Sequence, residues 1–283
     1  MTKSKYIYSL YELSDKAPLL YGIKTGTRLD HMFYYFESIE GRVIKRVLNG
    51  IPYLSVLNLV GAPDTGKSLF SLQFAVFQAS LGYSVCLLTT ETKATFLYNT
   101  IKERCIVMNR NFDSVARNIV VVDVSQDEKM MEDIENVLRL LEEAIDMKQT
   151  TICIVDSATG LYEHKELKAR RVTRKLYNFF KEKKQTALLI SQKRTSQQQE
   201  TVESAGGLGV AHIVDGSIIF DKKVITSKYE ETLYGLPIGS IIRTIRIDGC
   251  RMCGHEQNTK VLTISETGIV DVGDDLNTLI KRI

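Results

Sequence analysis

Two apolar runs, Ser55–Val60 (SVLNLV) and Ser68–Leu81 (SLFSLQFAVFQASL), flank and overlap the octapeptide Gly61-Ala62-Pro63-Asp64-Thr65-Gly66-Lys67-Ser68. This is a full G-x-x-x-x-G-K-S match in a strand–loop–helix setting, and no other feature constrains the fold as much. A strand must enter the loop from a sheet, and a helix must leave it. The glycines then let the backbone curl around an anion, so that successive N–H groups and the helix N-terminus face it. Lys67 adds a point charge for the β- and γ-phosphates, and Ser68 offers a hydroxyl to Mg²⁺.

The rest of the chain supplies a sheet to carry that loop. Ser84–Thr90 (SVCLLTT), Asn118–Val124 (NIVVVDV), Thr151–Asp156 (TICIVD), Thr186–Gln192 (TALLISQ) and Gly216–Asp221 (GSIIFD) read as buried strands. Helical patterns lie between them, as in a parallel sheet with crossover helices. The stripe Met130, Ile134, Val137, Leu138, Leu141, Ile145 predicts one helix. Ser125 opens it, and Glu128 three residues later completes a capping box. Ala169, Val172, Leu176, Phe179 and Phe180 line one face of a basic helix. From about Ser240 the period shortens, and SIIRTIRID, KVLTIS and GIVDV read as antiparallel strands. The expected organisation is a lead over residues 1–50 and an α/β core over 51–283.

Composition narrows the setting. With 44% apolar and 25% charged residues, the 283-residue chain can build a substantial core. No run approaches the roughly 18 to 20 apolar residues of a membrane helix, and MTKSKYIYSLYEL has no apolar signal core. The cysteines number five, and Cys86, Cys105 and Cys153 lie in or near apolar runs. Reduced thiols in a cytoplasmic protein are expected.

Two carboxylates complete the chemistry. Asp156 ends TICIVD, where an acid can hold the metal through water. Glu91 ends SVCLLTTE, where it can face a γ-phosphate and polarise the attacking water. No guanine-reading N/T-K-x-D occurs, which favours ATP over GTP.

Thr25-Gly26-Thr27-Arg28-Leu29-Asp30 and Gly50-Ile51-Pro52 are similar to the TG-x-x-LD…GIP entry of the RecA/KaiC/RadA ATPases. Ala205-Gly206-Gly207…Ala211-His212-Ile213-Val214-Asp215 and the Glu266-Thr267-Gly268-Ile269-Val270-Asp271-Val272 segment also resemble that family. The resemblance runs from about Thr25 to Val272. It implies a RecA-like fold with a mostly parallel central sheet, helices on both faces and a C-terminal antiparallel edge. It further implies that Glu91 is the catalytic glutamate, Asp156 the Walker B aspartate and Gln192 a nucleotide-sensing glutamine. Arg251 sits where the family delivers a cation to a neighbour's γ-phosphate, with Arg246 as the alternative, and a homo-oligomeric ring or filament follows. There are departures. His31–Asn49 inserts a stretch expected to be helical, Glu91 is followed by Thr92 rather than a second glutamate, and Gly249 replaces a lysine. No second ATPase domain, helical DNA-binding domain, zinc finger or protease-like tail is read in the chain.

Charge is uneven. Residues 163–194 carry eleven Lys/Arg against three Glu, a surplus of eight in a chain of net charge +3, so the remainder carries −5. The segment 165–194 and the loop 193–204 suit DNA phosphates, although the loop has no aromatic residue for stacking bases. A solvated helix face serves equally well. Cys250-Arg-Met-Cys253 with His255 lacks the further ligands of a zinc site and reads as turn thiols. The reading is a Mg²⁺-dependent ATP hydrolase coupled to DNA or to a protein partner. Its rival is a nucleotide-dependent switch with little turnover and no DNA role.

Overall fold

In a computed structural model of the chain, residues 7–162, 166–192, 210 and 212–280 are described, without the side chains of 166 and 167. In chain order the strands are β1 (Gly22–Ile23), β2 (Phe33–Ile39), β3 (Arg42–Val47), β4 (Ile51–Pro52), β5 (Val56–Gly61), β6 (Val85–Thr89), β7 (Ile119–Asp123) and β8 (Ile152–Asp156). They continue with β9 (Thr186–Gln192), β10 (Gly216–Val224), β11 (Ile241–Cys250), β12 (Gly254–His255), β13 (Lys260–Ile264) and β14 (Val270–Asp275). The α-helices are α1 (Lys67–Ser80), α2 (Ala94–Val107), α3 (Phe112–Arg117), α4 (Glu128–Glu132), α5 (Ile134–Lys148), α6 (Glu166–Glu182) and α7 (Lys228–Tyr234).

Among the described residues the main sheet has nine strands, ordered β14-β13-β11-β10-β5-β9-β8-β6-β7. From β10 to β7 neighbours run parallel, whereas β11, β13 and β14 add an antiparallel edge. The fold is therefore the expected α/β sheet. Side-chain alternation explains its two covered faces. Ile152 and Ile154 of β8 join Leu57, Leu59, Leu188 and Ile190 beneath Phe70 and Phe74 of α1. Cys153 and Val155 turn the other way and pack with Leu141 of α5 and with Val172, Leu176 and Phe180 of α6.

Two local expectations are corrected. His31–Asn49 contains no inserted α-helix among these residues: after a short 3-10 turn it forms the β2–β3 hairpin, with Tyr34 opposite Val47 and Ile39 opposite Arg42. The sequence FYYFESI-EG-RVIKRV is rich in aromatic and β-branched residues, and its turn residues Glu40 (φ 50°) and Gly41 (φ 76°) both adopt left-handed backbone. A two-residue turn of this kind matches strand twist and favours a hairpin over a helix. The hairpin is anchored by Phe33, which is fully buried, and by pairing with β12. The second correction concerns Ser125, which caps no helix because Asp123 takes its N–H and hydroxyl. Asp127 and Asp133 cap α4 and α5 instead, splitting the single predicted helix.

Asp215 ties the start of β10 to its surroundings. Its carboxylate accepts from Val56 N at 2.8 Å and Tyr177 OH at 3.1 Å, and it pairs with Lys181 Nζ at 2.6 Å. Lys181 also donates to Leu54 O at 2.7 Å. Removing the carboxylate strands a backbone donor and a half-buried ammonium together. Asp215→Ala is therefore expected to lower the unfolding free energy by about 2–4 kcal/mol in denaturant titrations. A change below about 0.5 kcal/mol would contradict this account of the contact.

Candidate functional site

Sheet order gathers the site at the carboxyl ends of four adjacent parallel strands. Gly61 at the end of β5 is in register with Gln192 at the end of β9. Asp156 closes β8 and is in register with Thr89 of β6, two residues before Glu91. The loop between β5 and α1 is shaped by two glycines that nothing larger could replace. A Cβ on Gly61 would lie 2.2 Å from Phe220 O, and Gly66 holds φ +103° against Ile264 and Leu262. Asp64, also left-handed, is clamped outside the loop by Lys222 at 3.1 Å and Arg243 at 3.7 Å. The Lys222 contact and its charge hold the Asp64 carboxyl below the usual range.

Lys67 is only 5% exposed. Among the described residues its ammonium donates to neutral atoms, Ala62 O at 2.7 Å and Thr65 Oγ1 at 3.3 Å. Burial pulls its pKa down to about 8, against smaller opposing pulls from Asp156 and Glu91. Asp156 shows the converse. Burial pushes its carboxyl up to about 6, opposed by a hydrogen bond from Ser68 and reinforced by the Glu91 charge. A dehydrated cation without an anion and a dehydrated carboxylate beside a hydroxyl are a donor set that fits a metal-bound polyphosphate. The backbone N–H groups of Asp64–Ser68 and the Lys67 ammonium would hold phosphates, and Ser68 with Asp156 would hold Mg²⁺. A mainly aliphatic cavity of about 190 Å³ adjoins Ser68 and Asp156, lined by Leu69, Leu72, Leu87 and Leu97.

Glu91 is exposed, and its Oε1 accepts from Ser157 Oγ at 2.6 Å and Gln192 Nε2 at 3.5 Å. Thr159 Oγ1 in turn accepts Gln192 N at 2.9 Å. The structure thus brings Lys67, Ser68, Asp156, Glu91 and Gln192 together. The residues Ser157, Thr159, Lys222 and Arg243 escape the sequence reading. The run of small residues Ser157-Ala158-Thr159 after Asp156 is a local signal for Ser157 and Thr159, and nothing local marks Lys222 or Arg243.

Arg251 lies elsewhere. It follows Cys250, which is opposite Gly216, itself in register with Leu57. That is four residues, about 13 Å along β5, from the loop at Gly61. Arg251 N donates to Asp215 O at 2.7 Å and its Nη2 to His212 O at 2.5 Å. Arg251 therefore stands at the sheet end opposite its own phosphate loop, and Arg246 is turned to Asp248 at 3.4 Å. His212 is exposed.

The basic segment divides. Lys175 pairs with Glu135, Lys183 with Glu142 and Lys181 with Asp215, whereas Arg170, Arg171 and Arg174 are exposed. The loop 193–204 lies outside the described residues, as do Lys165, Lys193 and Arg194. Cys250 and Cys253 are free thiols with sulfurs 3.7 Å apart, and no metal-ligating cluster of three or more His, Cys, Asp or Glu occurs among the described residues. Nor is any helix among them long and apolar enough to cross a membrane.

Comparison with known proteins gives a consistent picture. The family model described as "ATPase: KaiC" matches residues 23–276. A UPF0273 protein of Thermotoga maritima is 25% identical over 242 residues, covering 78% of this chain and 88% of its own. The DNA repair and recombination protein RadB of Methanobrevibacter smithii is 27% identical over 127 residues, 45% of this chain and 51% of its own. The crystal structure of a KaiC-like protein of Pyrococcus horikoshii superposes with a TM-score of 0.67 at 19% identity, covering 90% of this chain and 99% of its own.

The buried Asp156 charge has a pH signature. Its folded pKa is raised above the unfolded value, so ionisation costs stability above about pH 6, and the cost fades as pH falls toward 3.8. Asp156→Asn is expected to stabilise the metal-free protein by about 1–2 kcal/mol at pH 7.5, the full shift being discounted for partial solvent access. The gain should shrink when the denaturant titration is repeated at pH 5. Equal gains at both pH values would contradict the burial assignment.

Proposed function

Because the chain belongs to the KaiC ATPase family, we propose that it binds ATP with Mg²⁺ at the strand-end cluster and hydrolyses it. The observation that carries this reading is the placement of two opposite charges at the same cluster of strand ends: Lys67, 5% exposed and donating only to Ala62 O and Thr65 Oγ1 among the described residues, and the half-buried Asp156 that closes β8. Lys67 and the amides of Gly61, Ala62, Asp64, Thr65, Gly66 and Ser68 bind the phosphates, while Pro63 helps shape the loop. Ser68 and Asp156 hold Mg²⁺, whose chemistry there is to neutralise charge on phosphate oxygens. Glu91 orients and polarises the attacking water, and Gln192, bonded to the same carboxylate, couples the site to the chain that follows it.

Lys67 acts on ground-state phosphates, whereas Glu91 acts on water. Lys67→Ala is expected to abolish ATP binding in calorimetric titrations. Glu91→Gln should bind ATP normally but hydrolyse it about 10²- to 10⁴-fold more slowly. Parental turnover in Glu91→Gln would remove Glu91 from this role. Including single-stranded DNA in the same assays separates the coupled readings. Stimulation, or binding through Arg170, Arg171 and Arg174, supports a DNA role, toward which the RadB relative points. Tight binding with negligible turnover supports a switch.

We further propose that the chain forms a homo-oligomer in which Arg251 serves the neighbouring subunit's site. Its distance along the sheet from its own phosphate loop supports action in trans. Glu91→Gln subunits retain Arg251, and Arg251→Ala subunits retain Glu91, so mixing two inactive parents should restore part of the turnover. No recovery despite verified co-assembly would count against the finger.

A further inference from the structure

We propose that Ser157 is the positioning residue that sets the carboxylate of Glu91 to polarise the attacking water. This rests on the hydrolytic reading given above. Ser157 is 1% exposed, and its hydroxyl donates to Glu91 Oε1 at 2.6 Å. Bonds of this length to an ionised carboxylate are the strong, charge-assisted kind. The same hydroxyl accepts Gly160 N at 3.3 Å, which orients its hydrogen toward Glu91.

Ser157 can act this way because its backbone is fixed from the strand that bears Glu91. Thr90 Oγ1 accepts Ser157 N at 3.0 Å and donates to Ser157 O at 3.0 Å. Thr90 N donates to Asp156 O at 3.0 Å, so the residues before Glu91 and around Ser157 are tied by three hydrogen bonds. Gly160 closes the arrangement from the other side, since a Cβ there would lie 2.4 Å from Thr90 Oγ1. Glu91 itself is exposed, and a glutamate has several torsions to lose when ordered. Both donors, Ser157 and the more distant Gln192, fall on Oε1. Among the described residues no donor reaches Oε2, which leaves that oxygen for the attacking water in this scheme. Ser157 touches neither the nucleotide nor the water in this scheme and acts only through Glu91.

The test is a double-mutant cycle read by phosphate release and by ATP affinity. Ser157→Ala should lower kcat about 10- to 100-fold, the worth of a hydrogen bond to a charged group. Its ATP dissociation constant should stay within about twofold of the parent, because Ser157 makes no contact with the nucleotide in this scheme. In a Glu91→Ala background, single-turnover hydrolysis should be the same with Ser157 or Ala at position 157. Ser157→Thr, which keeps the hydroxyl, should recover most of the rate. Parental kcat in Ser157→Ala, or an equal loss in both backgrounds, overturns the inference. The two readings fail differently. Turnover that Glu91→Ala abolishes and Ser157→Ala leaves intact overturns this inference alone. Absence of turnover in the parent overturns the hydrolytic reading and this inference with it.

Discussion

Lys67 carries its charge in a nearly dry loop, with a carbonyl and a hydroxyl as its hydrogen-bond partners among the described residues. That arrangement costs stability, because an ammonium stripped of water is poorly satisfied by neutral acceptors. It persists because the surrounding sheet holds the loop closed. Phe220 O of β10 leaves room only for hydrogen at Gly61, and side chains of β13 would crowd a Cβ at Gly66. Gln73 of α1 exchanges two hydrogen bonds with the backbone of Val270 in β14. The antiparallel edge is thus a wall of the phosphate loop, bound to the helix that the loop starts.

Asp156 repeats the same economy with opposite sign. β9 separates its strand from β5, so Lys67 and Asp156 face a common space while Ser68 reaches the carboxylate. Two opposite charges that paired directly would offset each other's dehydration. Held apart, each would gain from a partner of its own, one an anion and the other a cation. The strained chemistry of a functional site and the stability of the fold are in tension at these two residues.

Much of this was legible beforehand. The octapeptide from Gly61 to Ser68, the strand-end positions of Asp156 and Glu91, and the alternating runs of the parallel sheet all rest on short-range patterns. What escaped depends on partners distant in sequence. Ser157 is one residue beyond a predicted strand, and only the register of β6 with β8 brings it to Glu91. Lys222 and Arg243 reach Asp64 because β10 lies beside both β5 and β11. The β2–β3 hairpin was misread as helix because its strands are largely exposed, so an inward-facing period is weak, although the Glu40-Gly41 turn signals it. The helix start at Ser125 failed for a local reason, as Asp123 competes for the same donors.

The proposed role of this cluster of strand ends is hydrolysis of ATP with Mg²⁺. Phosphate release from ATP by the purified wild-type chain, followed with Mg²⁺ and then with the cation chelated, tests it most directly. Sustained release that stops on chelation is the expected result. ATP binding with no release over many hours, or release indifferent to chelation, would contradict it.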